Sequence, residues 1–165
     1  MLGAIIGLIN LILMMFLKDS NKIRIKRIIK EMSYISELTL IGGLFMVSIG
    51  TYLGGIWANE SWGRYWGWDA KETWALVTIL VYAFILHMRL IPKLNGLFAF
   101  NVATIFGLAS VLMTYYGVNY YLSGLHSYAT GDPVPVPQWV YIVVGFIVVI
   151  STIAYFKKKK YKIIS

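Results

Sequence analysis

Five of the six tryptophans stand within eighteen consecutive positions, Trp57-Ala58-Asn59-Glu60-Ser61-Trp62-Gly63-Arg64-Tyr65-Trp66-Gly67-Trp68-Asp69-Ala70-Lys71-Glu72-Thr73-Trp74. Gly63 and Gly67 leave room between the large rings. Such a cluster suits a broad, flat apolar shelf for a planar conjugated ligand. Rings at a lipid–water boundary would account for the composition equally well, although a belt normally scatters Trp and Tyr over many helix ends. Asp69 is placed to cap a following helix, with Glu72 three residues on completing a reciprocal capping box in which Asp replaces Ser or Thr. Capping alone explains the two carboxylates; it would also hold Trp66 and Trp68 rigidly.

The chain has two histidines and no cysteine. His126 lies in Tyr120-Tyr121-Leu122-Ser123-Gly124-Leu125-His126-Ser127-Tyr128, ahead of the stiff stretch Pro133-Val134-Pro135-Val136-Pro137. A solitary loop histidine is usually a polar surface residue, but this one is expected on the same side as the Trp cluster. His87, in Phe84-Ile85-Leu86-His87-Met88-Arg89, is an ionisable group at the end of an apolar stretch. It either marks an interface or serves a site facing the bundle interior or a cavity. Thirteen residues of helix, roughly 20 Å, separate it from Trp74, so the two histidines cannot share one metal atom. Without Cys there is no disulfide, thiolate metal site or thiol redox chemistry.

The elements that must position these groups are apolar. Hydrophobic residues make up 59% of the 165 and charged ones 13%, with a mean hydropathy of +0.70, against about 25% charged in soluble domains. Five stretches approach the roughly 20 apolar residues of a spanning helix: Met1 to Leu17, Leu38 to Trp57, Trp74 to Ile91, Leu97 to Gly117, and Trp139 to Phe156. The expected fold is an all-α polytopic membrane helical bundle of five transmembrane helices, forming one membrane domain over 1–165. Its external loops would be 57–74 and 118–138. Pro92 closes the third span. Gly3/Gly7 and Gly50/Gly54 have the spacing that admits a neighbouring backbone. Lys18 to Glu37 reads as a linker with a short amphipathic surface helix.

Net charge is +8. The basic residues cluster in Lys18–Lys30, at Arg89 and Lys93, and in Lys157–Lys162, all on one side if every span crosses once. That side is then cytoplasmic, with the N-terminus outside and the C-terminus cytoplasmic. Arg64 and Lys71 are the only cations left outside, where either could meet an anionic group on the ligand's edge, such as a propionate. Basic residues that flank helices form no groove for nucleic acid, and attraction to membrane lipid accounts for them. The first span is a poor cleavable signal, its positive charges following the apolar run instead of preceding it.

The string Trp62-Gly63-Arg64-Tyr65-Trp66-Gly67-Trp68-Asp69 matches WGxxWxWD, the "WWD" signature of haem-handling proteins in cytochrome c maturation. Its continuation Ala70-Lys71-Glu72-Thr73-Trp74-Ala75-Leu76 resembles the WDPKETWAL of the CcsA/ResC family, with Ala70 in place of Pro. Trp57-Ala58-Asn59, Leu86-His87-Met88-Arg89 and the stretch from Gly117 to Tyr128 are similar to that family too, so the resemblance runs from about Glu37 to Tyr128. It implies haem handling and presentation for covalent attachment to apocytochrome c in system II, beside a CcsB/ResB-like membrane partner. The chain would be a component of a cytochrome c haem lyase complex. A haem transporter or binding subunit without synthase activity is the alternative, and a purely structural membrane subunit a third. Heme b would be the bound substrate, and the apocytochrome's CxxCH would supply both thiols. Trp62, Gly63, Trp66, Trp68 and Asp69 would form the shelf, with His126 an external and His87 a membrane-embedded axial ligand. The expected location is a bacterial plasma membrane or a thylakoid membrane, with the Trp loop on the external, periplasmic or lumenal side. Family members carry a further external His ahead of the first span, so the chain is expected to correspond to the C-terminal part of such a protein, as a fragment, a split-gene product or a chain completed by a partner.

Overall fold

The computed structural model describes residues 1–122 and 135–161. Among them the regular structure is helical throughout: α1 (Leu2–Met15), α2 (Lys22–Trp62), α3 (Ala70–His87) with a 3-10 turn at Met88–Leu90, α4 (Leu97–Leu112), α5 (Val118–Tyr121) and α6 (Gln138–Tyr161). A π turn at Met113–Gly117 joins α4 to α5. Four helices are long and apolar enough to cross a membrane: Lys22–Trp62, Ala70–Leu90, Leu97–Tyr121 and Gln138–Tyr161. The chain is an integral membrane protein by that measure. The first expected span forms a shorter apolar helix of 14 residues, about 21 Å long against a hydrocarbon core of about 30 Å.

The reading of Lys18 to Glu37 as a surface linker needs correction. These residues from Lys22 onward are the first half of α2, a single helix of 41 residues. Ile25, Ile29, Ser33, Ser36 and Leu40 fall three or four apart on one buried stripe, and no proline interrupts the run. At about 60 Å the helix is roughly twice as long as one crossing needs, so part of it runs outside the hydrocarbon core.

α1 packs against this first half of α2 and against α4 and α6, while α3 packs against α2 and α4. Leu11, Met14, Leu17, Ile29, Ile150 and Ala154 close one core; Leu40, Tyr82, Ile85 and Met88 close a second. At one end Lys157 Nζ reaches the Leu17 carbonyl at 3.5 Å, the Lys158 ammonium sits 5.3 Å from the Phe98 ring, and Arg89 pairs with Glu37. The basic segments therefore gather at this end. At the other, Lys71 Nζ donates to Asn119 Oδ1 at 3.4 Å beside the Trp turn.

The two glycine pairs part company. A Cβ on Gly3 would lie 2.8 Å from Leu40 Cδ2, and one on Gly7 would lie 2.8 Å from the Asn101 carbonyl oxygen, so both admit a neighbouring helix. Around Gly50 and Gly54 nothing lies within 4 Å, and no helix of the described chain uses that spacing.

Polar groups clamp the α1–α2–α4 contact. Asn10 Nδ2 donates to Asn101 Oδ1 at 2.8 Å, and Asn101 Nδ2 donates to Ser33 Oγ at 3.1 Å and to the Leu97 carbonyl at 2.7 Å. Both asparagines are fully buried. Replacing Asn101 with Val strips partners from two other buried polar side chains, for an expected loss of about 2 kcal/mol. Thermal unfolding in detergent micelles checks this, and an unchanged midpoint would dismiss the clamp.

Candidate functional site

α2 ends where Gly63 turns left-handed (φ 70°), its N–H donating to the Asn59 carbonyl at 2.8 Å. α3 begins at Ala70, so the non-helical turn is only 63–69. The loop expected over 57–74 is thus largely helical: Trp57 and Trp62 ride the last turns of α2, and Trp74 the first of α3. The turn folds back onto α2 at Gly55, where a Cβ would lie 3.0 Å from the Tyr65 carbonyl oxygen. The close approach sought at Gly50 and Gly54 occurs here instead.

The capping box forms as its spacing predicts. Asp69 Oδ2 accepts from the Lys71 N–H at 3.1 Å, and Glu72 Oε2 accepts from the Asp69 N–H at 3.2 Å. The same Glu72 oxygen also takes the Gly67 N–H at 2.8 Å. One carboxylate therefore brackets Trp68 from both sides. Trp68 itself has φ 56°, a left-handed conformation that bulky side chains rarely adopt and that surrounding contacts must hold. This second duty of Glu72 is invisible in the capping-box spacing. Glu72→Ala removes both bonds, with an expected cost of about 2 kcal/mol and release of Trp68 to ordinary backbone. Limited proteolysis within 63–69 and the unfolding midpoint read it; equal resistance to cleavage would refute the bracket.

The rings do not form one flat plate. Trp57 and Trp62 meet edge to face with centroids 5.1 Å apart and planes at 80°, and Trp66 and Trp68 at 5.8 Å and 86°. A planar ligand could lie flat on only one ring of each pair. Trp68 is 72% exposed, whereas Trp66 is half-buried, with a buried Nε1–H that donates to nothing among the described residues. Gly67 makes room not for a ring but for Arg64, whose guanidinium carbon would sit 2.9 Å from a Cβ there.

Trp66 and Trp57 line a cavity of about 380 Å³ with Gly54, Lys71, Glu72 and Thr114. A second, of about 460 Å³, continues from Lys71 and Thr114 along Val47, Thr78 and Tyr82 to Met1. The two share Val47, Lys71 and Thr114. They form a groove from the Trp turn down the bundle, with one cation at its midpoint. Thr114 Oγ1 lies 3.0 Å from the Trp74 carbonyl, 2.8 Å from the Ser110 carbonyl and 3.0 Å from Thr78 Oγ1. With a single proton it donates to a carbonyl and accepts from Thr78. Little in the sequence singles out Thr114, since a threonine in an apolar span is ordinary; the π turn that holds it is such a signal only once folded.

His87 is the last residue of α3 and its side chain is exposed, a position compatible with an interface marker or with a site at the surface of the bundle. Its Nδ1 lies 2.7 Å from the Ala83 carbonyl oxygen. A carbonyl only accepts, so Nδ1 carries a proton and donates to it. His126 lies outside the described residues. The structure thus brings together Trp62, Gly63, Trp66, Trp68 and Asp69, and leaves His87 at the far end of α3.

Comparison with known proteins identifies the family. The profile of the family described as "Cytochrome C assembly protein" matches residues 1–126. Protein NrfI of Wolinella succinogenes is 53% identical over 133 residues, which are 81% of this chain and 15% of that protein. The cytochrome c biogenesis protein CcsA of Panax ginseng is 42% identical over 63% of this chain and 32% of its own length. CcsA of Cyanophora paradoxa is 41% identical over 68% and 34%. The chain therefore spans about a third of these CcsA relatives and less of NrfI. On the Trp turn, the helices that hold it and the extent of the match, this chain belongs to the cytochrome c assembly protein family.

Proposed function

We propose that the chain acts in cytochrome c biogenesis, presenting haem for covalent attachment to apocytochrome c as part of a haem lyase complex with a CcsB/ResB-like partner. The observation that carries this reading is the Glu72-bracketed turn, which holds Trp68 exposed and sets Trp66 in the wall of a groove that Lys71 also lines. The face of one indole of a pair suits part of a porphyrin plane, with its perpendicular neighbour at the edge, and a cation nearby suits a propionate. The cargo is heme b. Trp62, Gly63, Trp66, Trp68 and Asp69 bound its resting place, and His126 holds the iron from the second external loop. His87 serves a separate inner site; its Nδ1–H is already engaged, which is how iron-ligating imidazoles are usually oriented. The chain carries no thiol, so both thioether sulfurs come from the apocytochrome's CxxCH, and this protein's part is positioning and protection.

The proposed topology has five crossings, an external N-terminus and a cytoplasmic C-terminus in a bacterial plasma membrane or a thylakoid membrane. The gathering of cations at the end opposite the Trp turn supports it.

Co-expression with a CcsB/ResB-like partner and an apocytochrome c tests the function. Covalent haem on the cytochrome is expected only when all three are present. A Soret band on the purified pair without any covalent product would favour a haem transporter; neither signal would leave a structural subunit. In the same assay His87→Ala is expected to deplete co-purified haem severalfold while leaving some covalent product, and unchanged haem content would remove His87 from the proposal.

A further inference from the structure

α2 extends past the end of α3, and the 88–96 turn bridges from α3 to α4 beside it. The notch between them is a cavity of about 330 Å³, within the range of ligand pockets. Its floor is apolar, built on Ile85 and Met88, both buried, and Phe100. Its rim is charged. Arg89 pairs with Glu37, whose carboxylate is largely buried, while the Arg89 side chain is 66% exposed. A guanidinium has five N–H donors, and one carboxylate engages at most two, so the others face outward. The Lys30 ammonium, also lining the notch, sits 6.0 Å from the Tyr34 ring, with no carboxylate against it among the described residues. Two cations against one carboxylate leave the rim positive.

We propose that this notch is a specific site for one anionic glycerophospholipid, its phosphate between Lys30 and Arg89 and an acyl chain along Ile85, Met88 and Phe100. Charge complementarity decides the occupant. Attraction of a leaflet to scattered lysines is diffuse and needs no cavity. Here two cations from different elements, α2 and the turn after α3, line one apolar hollow, and one is fixed in direction by Glu37. That geometry matches a headgroup with a chain attached, and it lies at the end where the chain's other cations gather. The inference is independent of the haem reading.

Native mass spectrometry of the purified full chain, released from detergent with phosphatidylglycerol or phosphatidylcholine, tests it. The protein is expected to retain one phosphatidylglycerol in preference to phosphatidylcholine. Lys30→Gln, at an exposed position, is expected to weaken retention about fivefold. Lys159→Gln removes the same charge at the same end but outside the notch, and is expected to change nothing. Equal loss in the two variants would show only diffuse attraction and overturn the site. Displacement of the lipid by inorganic phosphate at matching concentration would make it a site for the free anion, and displacement by stoichiometric haem would assign it to the cargo; either result overturns the proposal.

Discussion

His126→Ala is expected to reduce covalent haem on a co-expressed apocytochrome c to background, with the membrane level of the protein unchanged. Removing an outer-shell partner of a metal ligand costs about 10–100-fold, and loss of the ligand itself should exceed that. No other histidine of this sequence can substitute. The only other one, His87, ends α3, and the helix between it and Trp74 is roughly 20 Å long. The effect should therefore differ in kind from that of His87→Ala: loss of product against loss of loading. Pyridine haemochrome of the cytochrome fraction gives the first quantity and the Soret absorbance of the purified pair the second. Wild-type product from His126→Ala would end the assignment of an external ligand to this residue, while leaving the family membership untouched.

Gly7→Ala is expected to destabilise the bundle by about 3 kcal/mol, at the upper end of ordinary overpacking. The added Cβ would lie 2.8 Å from the Asn101 carbonyl oxygen and against the Thr104 side chain. Thr104 could rotate, but the carbonyl belongs to the backbone of α4 and moves only with its helix. Shifting α1 outward would also stretch the 2.8 Å bond from Asn10 to Asn101, because that pair lies one turn along the same contact. The matched control is Gly50→Ala, where nothing lies within 4 Å; relief of glycine's conformational freedom should there be neutral or stabilising by about 0.5–1 kcal/mol. Thermal unfolding of both variants in one detergent decides the matter. Equal midpoints would mean that α1 is not packed on α4 through Gly7.

Where local chemistry decides the outcome, the sequence is a reliable guide. The Asp69–Glu72 spacing specifies a helix start, because a carboxylate two or three residues from a free N–H has little else to bond. Pro92 holds Ile91 extended and so stops the span beyond the 3-10 turn that follows α3, for an equally local reason, and the apolar runs demand helices because lipid offers no partner for a bare peptide group. The WGxxWxWD string and its continuation carry the family. What the sequence could not decide is which faces meet. Two glycine pairs of identical spacing behave oppositely, since only Gly3 and Gly7 have a helix opposite them. Lys22 to Glu37 reads as a basic linker until Ser33 and Ile29 find α1 to bury against. Trp66 and Trp68 are neighbours in any reading, yet their perpendicular planes follow from the left-handed turn that Glu72 holds closed. The groove through Lys71 and Thr114 exists only where α1, α2, α3 and α4 meet, and the notch below α3 only because α2 runs on past the end of that helix. Local bonding chose the elements of this protein; their unequal lengths and mutual packing, which depend on contacts far apart in the chain, made its cavities.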